Sequence, residues 1–155
     1  MPQMNKGGKF IFGKTLIRED MTIHLPPQAL TEYNATAEGK VYLFTGSKIT
    51  GGFGVTRKGL LESSKLGHIL TDNPALQDYQ TAEGESVPYK GRSYCWANIT
   101  ENGVIQLTNE MIKFLDLKIG MELLSIRSSD IVFTMGAKGP LLEKFQTFDG
   151  KIKVY

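Results

Sequence analysis

Cysteine, histidine and tryptophan are scarce in this chain of 155 residues, which holds one Cys, two His and one Trp. The single Cys95 excludes an intramolecular disulfide and a metal site built from several cysteines, and it favours a reducing, cytoplasmic setting. His24 and His68 stand alone in the sequence, so neither belongs to a recognisable ligand set. We therefore expect no metal and no cofactor.

Long hydrophobic runs are absent as well, and none approaches the roughly 18 residues that a membrane-spanning helix needs. The first residues, MPQMNKGGKFIFGK, lack the apolar segment of a signal peptide. The hydrophobic content of 41% and the charged content of 22% are typical of an ordinary globular protein. The length fits a single domain, residues 1–155, that has its own core and no contact with membranes.

Net charge is also small, at +2, but its distribution along the chain is uneven. Residues 1–60 contain eight Lys and Arg against four acidic residues, whereas residues 61–93 contain three against five and the remainder seven against seven. A local positive field of this size is typical either of a mixed solvated surface or of a face that binds nucleic acid. The sequence leaves both interpretations open.

The clearest structural pattern lies in the second half of the chain. Asn102-Gly103 separates two apolar-rich runs, and this dipeptide is a strong signal for a hairpin with a type I′ turn. Thr108 then provides a helix cap, and apolar residues at helical spacing predict a short helix that ends before Gly120. The pattern is a β-β-α-β-β unit, whose predicted strands are 95–99, 104–107, 121–126 and 131–133.

A weaker copy of this unit lies upstream. Gly39 matches Gly120 at a distance of 81 residues (120 − 39), and Leu25 matches Leu107 at a distance of 82 (107 − 25). Pro26-Pro27 replaces the helix cap, since proline is well accommodated in a first helical turn. The ordered agreement indicates an internal duplication. The predicted repeats cover residues 9–62 and 90–145, the connector covers 63–89, and the first repeat has predicted strands 15–18, 22–25 and 41–44 and a helix over 28–33.

Two segments flank the short helix of the second repeat: Gly103–Leu107, which reads GVIQL, and Leu115–Leu123, which reads LDLKIGMEL. The first repeat matches this pattern through Leu25-Pro26, its own helix and Gly39-Lys40-Val41. The pattern resembles the AbrB/MazE/MraZ family, also known as the SpoVT–AbrB domain. The resemblance implies an α+β, mostly β fold in which tandem β-β-α-β-β repeats form a closed swapped-hairpin-like barrel with short helices, completed within one chain.

The same resemblance implies sequence-specific binding to double-stranded DNA by a non-enzymatic transcription regulator. Binding of this kind depends on Lys and Arg that neutralise phosphates. The competing hypothesis is a non-catalytic small-molecule- or protein-binding barrel that has lost DNA binding. The residues expected at the DNA-binding face are Lys9, Lys14, Arg18, His24, Arg57 and Lys58.

A glycine-rich stretch over Gly51–Gly59 raises the alternative of a phosphate site. It lacks the Gly-Lys-Ser/Thr order and the following long helix of a phosphate-binding loop, so we interpret it as a hairpin end or a bulged strand. No nucleophile, base and orienting group come together in the sequence, and we expect no catalytic activity. An enzyme that uses the glycine-rich loops on a nucleotide is a third, weaker hypothesis.

Two remaining patterns concern partners. Aromatic residues near Phe10 and Trp96 are interleaved with Lys and Arg, which suits base stacking, although alternation along strands favours aromatic residues in the core. The tail over Phe145–Tyr155 alternates after an Asp-Gly turn and predicts an edge strand. An exposed edge strand invites pairing with another chain, so a homodimer is a further hypothesis.

Overall fold

The structure is a computed structural model that describes residues 3–4, 10–138 and 153–155. Within these residues the fold is α+β and mostly β, and every helix is short. The elements are β1 (Gln3–Met4), β2 (Phe10–Leu16), β3 (Thr22–His24), α1 (Pro27–Tyr33), β4 (Lys40–Thr45), β5 (Phe53–Thr56), α2 (Lys58–Glu62), α3 (His68–Thr71), α4 (Pro74–Gln77), β6 (Val87–Tyr89), β7 (Arg92–Asn98), β8 (Val104–Gln106), α5 (Asn109–Phe114), β9 (Glu122–Arg127) and β10 (Phe133–Gly136).

The predicted hairpin at Asn102-Gly103 forms between β7 and β8, but with a different turn. The N–H of Gly103 donates to the carbonyl of Thr100 at 2.9 Å, and Gly103 has a φ of 81° while Asn102 does not have a positive φ. This is a three-residue loop that ends in a left-handed glycine, not the predicted type I′ turn. Thr108 caps α5 as predicted, since its hydroxyl accepts from the N–H of Met111 at 3.2 Å.

The predicted closed barrel is wrong, because the main sheet is open. Its eight strands are antiparallel and follow the order β1-β2-β9-β10-β5-β4-β7-β6, while β3 and β8 form a separate two-stranded ribbon. Closure would require β2 to pair with β7, and the outer edges of both strands are already occupied. β6 pairs with β7, whereas β1 and residues 153–155 pair with β2.

The C-terminal tail was expected to be an exposed edge strand, and most of it lies outside the described residues. Val154 forms a parallel bridge with Lys14 of the same chain. The N–H of Tyr155 donates to the carbonyl of Lys14 at 2.7 Å, and the N–H of Lys14 donates to the carbonyl of Lys153 at 2.8 Å. The described end of the tail therefore pairs within the chain.

Strands of the two predicted repeats alternate in the sheet. β2 of the first repeat pairs with β9 of the second, where Leu16 lies opposite Glu122. β7 of the second repeat pairs with β4 of the first, where Ala97 lies opposite Val41. Both residues of the second pair are displaced by 81 from their counterparts (97 − 16 and 122 − 41). Since β5 also pairs with β10 and β3 with β8, the pairing is approximately two-fold symmetric and each repeat supplies the strand partners of the other.

The main core lies on one face of the open sheet, where the β3–β8 ribbon, α1 and α5 pack against it. The opposite face of β4 and β7 carries a second cluster, which α2, α3 and α4 cover. The connector was expected to hold one helix over 63–70, and its helices lie elsewhere because two turns interrupt the segment. Hydrogen bonds fasten it to the sheet, from the hydroxyl of Tyr42 to Leu76 O at 3.2 Å and from the indole N–H of Trp96 to Thr81 O at 2.9 Å.

Candidate nucleic-acid-binding surface

Three of the six predicted DNA-binding residues make contacts within the protein. The side chain of Lys14 is only 10% exposed, and its Nζ lies 3.7 Å from a carboxylate oxygen of Glu122 on the neighbouring strand. The guanidinium of Arg57, 18% exposed, donates to Glu38 at 2.6 Å. The Nζ of Lys58 lies 4.2 Å from the centre of the Tyr79 ring.

Arg57 connects three parts of the first repeat. Besides its bond to Glu38, its Nε donates to the carbonyl of Tyr33 at the end of α1 at 3.1 Å. Glu38 in turn accepts from the N–H of Gly59 in the first turn of α2 at 3.0 Å. An arginine and a carboxylate fixed in this way hold α1, the loop before β4 and α2 together. The positive charge of Arg57 is thus balanced locally.

Arg18 and His24 are more accessible, and Lys9 lies outside the described residues. Arg18 is exposed in the turn between β2 and β3, and His24 is half-buried at the end of β3. The turn has the same hydrogen bonds as the turn at Gly103, since Met21 N donates to Arg18 O at 2.8 Å and Arg18 N to Thr22 O at 3.1 Å. Met21 takes the left-handed position with a φ of 62°, which is uncommon for a non-glycine residue.

Strand exchange places Arg18 beside bases of the second repeat. The N–H of Ile17 donates to the carbonyl of Met121 at 2.9 Å, and the N–H of Gly120 donates to the carbonyl of Ile17 at 2.7 Å. The turn that carries exposed Lys118 therefore lies against the residue that precedes Arg18. Sequence reasoning missed Lys118, because only the β2–β9 pairing brings these two distant segments together.

Lys118 also lines a groove of about 380 Å³ with Lys138. The stem of Lys138 packs on Gly51, and its N–H donates to the carbonyl of Thr50 at 2.9 Å. Lys48 is exposed on the same loop as Thr50. One acidic residue, Asp116, lines the groove among the described residues. We call the surface formed by Arg18, Lys48, Lys118 and Lys138 the basic surface.

Two exposed isoleucines accompany the basic surface. Ile49 follows Lys48 and is 69% exposed, and Ile119 follows Lys118 and is 51% exposed. Large apolar side chains exposed to this degree are available for contact with a partner. Beside basic residues they suit a partner that presents both phosphates and apolar edges, as the sugars and bases of a nucleic acid do.

The glycine-rich stretch builds the wall of the groove. A Cβ at Gly46 would lie 2.0 Å from the carbonyl oxygen of Gly51, and a Cβ at Gly52 would lie 1.9 Å from that of Met135. These glycines allow the β4–β5 loop to approach its own backbone and that of β10. α2 follows the stretch with only five residues, so the stretch does not have the helix of a phosphate-binding loop.

The aromatic residues considered for base stacking are packed within the protein. Phe12 and Tyr94 are buried, at 4% and 6% exposure. Phe10 is covered by the guanidinium of Arg127, whose Cζ lies 4.2 Å from the ring centre. Trp96 contacts Tyr79 edge-to-face at 5.5 Å. They stabilise the two clusters on either side of the sheet.

Cys95 is buried in β7, and burial raises the pKa of its thiol to about 12. A thiol of this kind is a poor nucleophile, because the thiolate is the reactive form. Across the described part of the chain, no three His, Cys, Asp or Glu residues are grouped closely enough to hold a metal ion. No helix in residues 3–4, 10–138 and 153–155 is long and apolar enough to span a membrane. No protein-family model matches the sequence, and no curated protein is similar to it.

Proposed function

We propose that the protein binds double-stranded DNA and acts in the cytoplasm as a transcription regulator of the AbrB type, with an open sheet in place of a closed barrel. The observation that carries this proposal is the convergence of Arg18, Lys118 and Lys138 from distant parts of the chain onto one side of the molecule. These bases, with Lys48, are exposed and stand against one groove-lining acid, Asp116.

The β3–β8 ribbon supplies the element that reads the bases. A two-stranded antiparallel ribbon fits the major groove of B-DNA. Ile23 and Ile105 face the core from its centre, so alternation directs Thr22, His24 and Gln106 to the opposite face. Arg18 lies in the turn that leads into this ribbon. Phosphate contacts from the basic surface would fix the orientation, and polar side chains of the ribbon would provide specificity.

One chain is the expected DNA-binding unit. The approximate two-fold pairing already joins two equivalent halves in a single polypeptide, and the described end of the tail pairs with β2 of its own chain. This arrangement removes the reason for the homodimer that the tail suggested. Sedimentation of the protein alone and with a short duplex would measure the number of chains in each species.

A salt titration of duplex binding, followed by fluorescence anisotropy, tests the proposal. Each phosphate neutralised contributes a slope of about −0.9 to the dependence of log K on log salt, so four bases predict a slope of roughly −3 to −4. The double substitution Arg18→Gln, Lys118→Gln should reduce the slope by about 2 units and weaken binding to all duplexes. Absence of binding at low salt would refute the proposal.

The matched control removes two positive charges away from the basic surface. Lys65 and Lys90 are exposed, in the segment before α3 and in the β6–β7 turn. The double substitution Lys65→Gln, Lys90→Gln changes net charge by the same amount and should leave the slope nearly unchanged. Equal effects of the two double variants would show that total charge, and not the basic surface, accounts for the binding. His24→Ala should alter the preference among duplex sequences more than the salt slope.

A further inference from the structure

A cavity of about 450 Å³ lies between the outer face of the sheet and the helices α2 and α3. Its volume falls within the range of small-molecule sites in proteins, which are largely apolar and contain a few polar groups. It is separate from the main core and from the residues proposed to contact DNA. No step of the proposed DNA binding uses it.

The cavity has an apolar body. Phe44 and Tyr94 provide an aromatic pair with ring centres 5.4 Å apart, and Leu61 and Ile69 face them from the helices. The Phe44 ring rests on Gly54, where an added Cβ would lie only 2.4 Å from its Cζ. An aromatic or branched apolar group would bury its surface against these walls.

Arg92 provides the positive charge of the cavity. Among the described residues that line the cavity it is the sole charged one, and none of the described carboxylates forms an ion pair with it. One of its nitrogens donates to the carbonyl of Thr45 at 2.8 Å, and its Cζ lies 5.9 Å from the Phe44 ring centre. These contacts orient the guanidinium, which has further N–H groups to donate.

Hydroxyl groups from two equivalent hairpins complete the lining. Ser47 and Thr50 of the β4–β5 loop lie with their hydroxyls 3.1 Å apart, and Ser128 and Thr134 form a hydroxyl pair across the β9–β10 loop. Ser47 and Ser128 are separated by 81 residues (128 − 47), which is the displacement of the paired strands. Both loops thus present donors and acceptors to the same space.

We propose that this cavity binds a small amphipathic carboxylate, with the carboxylate on Arg92 and an aromatic or branched apolar group between Phe44, Tyr94 and Ile69. A planar guanidinium matches a carboxylate bidentately, and this pairing is stronger than a neutral hydrogen bond. The hydroxyls of the two loops fix the polar end of the ligand. Ligand binding at this site is independent of the proposed DNA binding, so either can fail without the other.

The test uses phenylpropionate and its neutral analogue phenylpropionamide, followed by chemical-shift changes in two-dimensional NMR spectra of the full chain. Phenylpropionate should give saturable shifts at Phe44, Gly54 and Ile69, and the amide should bind roughly tenfold to a hundredfold more weakly. Octanoate and indole acetate extend the probe set to an aliphatic and a larger aromatic carboxylate. Absence of saturable shifts at the cavity with all three carboxylates into the millimolar range would overturn the proposal.

Two variants assign the binding to the cavity. Arg92→Gln should weaken phenylpropionate to the level of the amide, while Lys90→Gln, which removes a neighbouring exposed charge outside the lining, should leave the affinity unchanged. Leu66→Trp adds volume at the half-open edge of the cavity, where Leu66 is 40% exposed, and should abolish binding without loss of the fold. Equal loss in Arg92→Gln and Lys90→Gln, or full binding by Leu66→Trp, would also refute the site.

Discussion

Gly54→Ala offers a sharp test of the packing on the outer face of the sheet. In β5 this glycine lies directly opposite Phe44 of β4, and the ring covers the position that a side chain would occupy. An added Cβ would lie 2.4 Å, 2.7 Å and 2.9 Å from three ring atoms of Phe44, which real Cβ contacts do not show. The ring must rotate or shift, and overpacking of this kind costs about 1–3 kcal/mol of unfolding free energy.

Gly136 provides the matched control, because it is a buried glycine in the equivalent strand β10. A Cβ there would have its nearest neighbour, the carbonyl oxygen of Leu124, at 3.7 Å, which is an ordinary contact. Gly136→Ala should therefore stabilise the protein by about 0.4–1 kcal/mol through the unfolded chain. Urea denaturation followed by circular dichroism measures both variants, provided that the denaturant slopes agree.

A double-mutant cycle identifies Phe44 as the cause. Phe44→Leu removes the ring that the new Cβ would meet, so the cost of Gly54→Ala should fall by about 0.5–3 kcal/mol in that background. The reasoning is refuted if Gly54→Ala is as stable as Gly136→Ala, or if the cost of Gly54→Ala is the same with leucine at position 44.

Three further predictions concern single residues. The thiol of Cys95 should react with a disulfide reagent only after unfolding, and because its pKa is raised from 9.0 to about 12 in the fold, stability should fall as pH rises from 9 to 12, by up to about 1.4 kcal/mol per pH unit; Cys95→Ala should show a shallower fall in urea midpoints across that range. Thr108→Ala removes the cap that accepts from Met111 N–H and should cost about 1 kcal/mol, measured by the same denaturation; no loss would show that the cap contributes nothing. Tyr33→Phe removes a hydroxyl that donates to Ser129 O at 2.6 Å, and should cost about 1–2 kcal/mol by thermal unfolding at neutral pH, whereas an unchanged midpoint would contradict this role.

Local signals in the sequence were sufficient for the repeated elements. Proline and Thr108 mark the starts of α1 and α5, and Gly39 and Gly120 take the left-handed conformation predicted for them, with φ of 71° and 89°. Each of these features depends on a few consecutive residues whose backbone preferences agree with the structure. The hairpin at Gly103 was predicted for the same reason, although its turn type was wrong.

Closure of the sheet was not predictable from the same signals, because it depends on which segments reach the outer edges of β2 and β7. β1, β6 and residues 153–155 are too short for a hydrophobic period to reveal them. α3 and α4 have four residues each and were missed for the same reason. Tertiary packing against β4 and β7 accounts for their helical conformation, since isolated helices of this length are unstable.

The candidate site shows the same division. Arg18 was predicted as an exposed base and is exposed, while Lys14 and Arg57 make ion pairs with Glu122 and Glu38 that no sequence pattern announces. Lys118 gained its place only from the hydrogen bonds between its turn and Ile17. Charge counting along the chain assigned the positive field to the first repeat, and strand exchange distributes it over both.

The interleaving of the two halves also governs how the chain can be made. During synthesis β2 and β4 leave the ribosome well before β9 and β7, so the nascent first half carries unsatisfied strand edges until most of the polypeptide has been completed. Contacts between segments so far apart along the chain slow folding. A product that stops short of β7 thus has no route to its native sheet, whereas separate polypeptides for the two halves, synthesised together, contain every strand needed to assemble it.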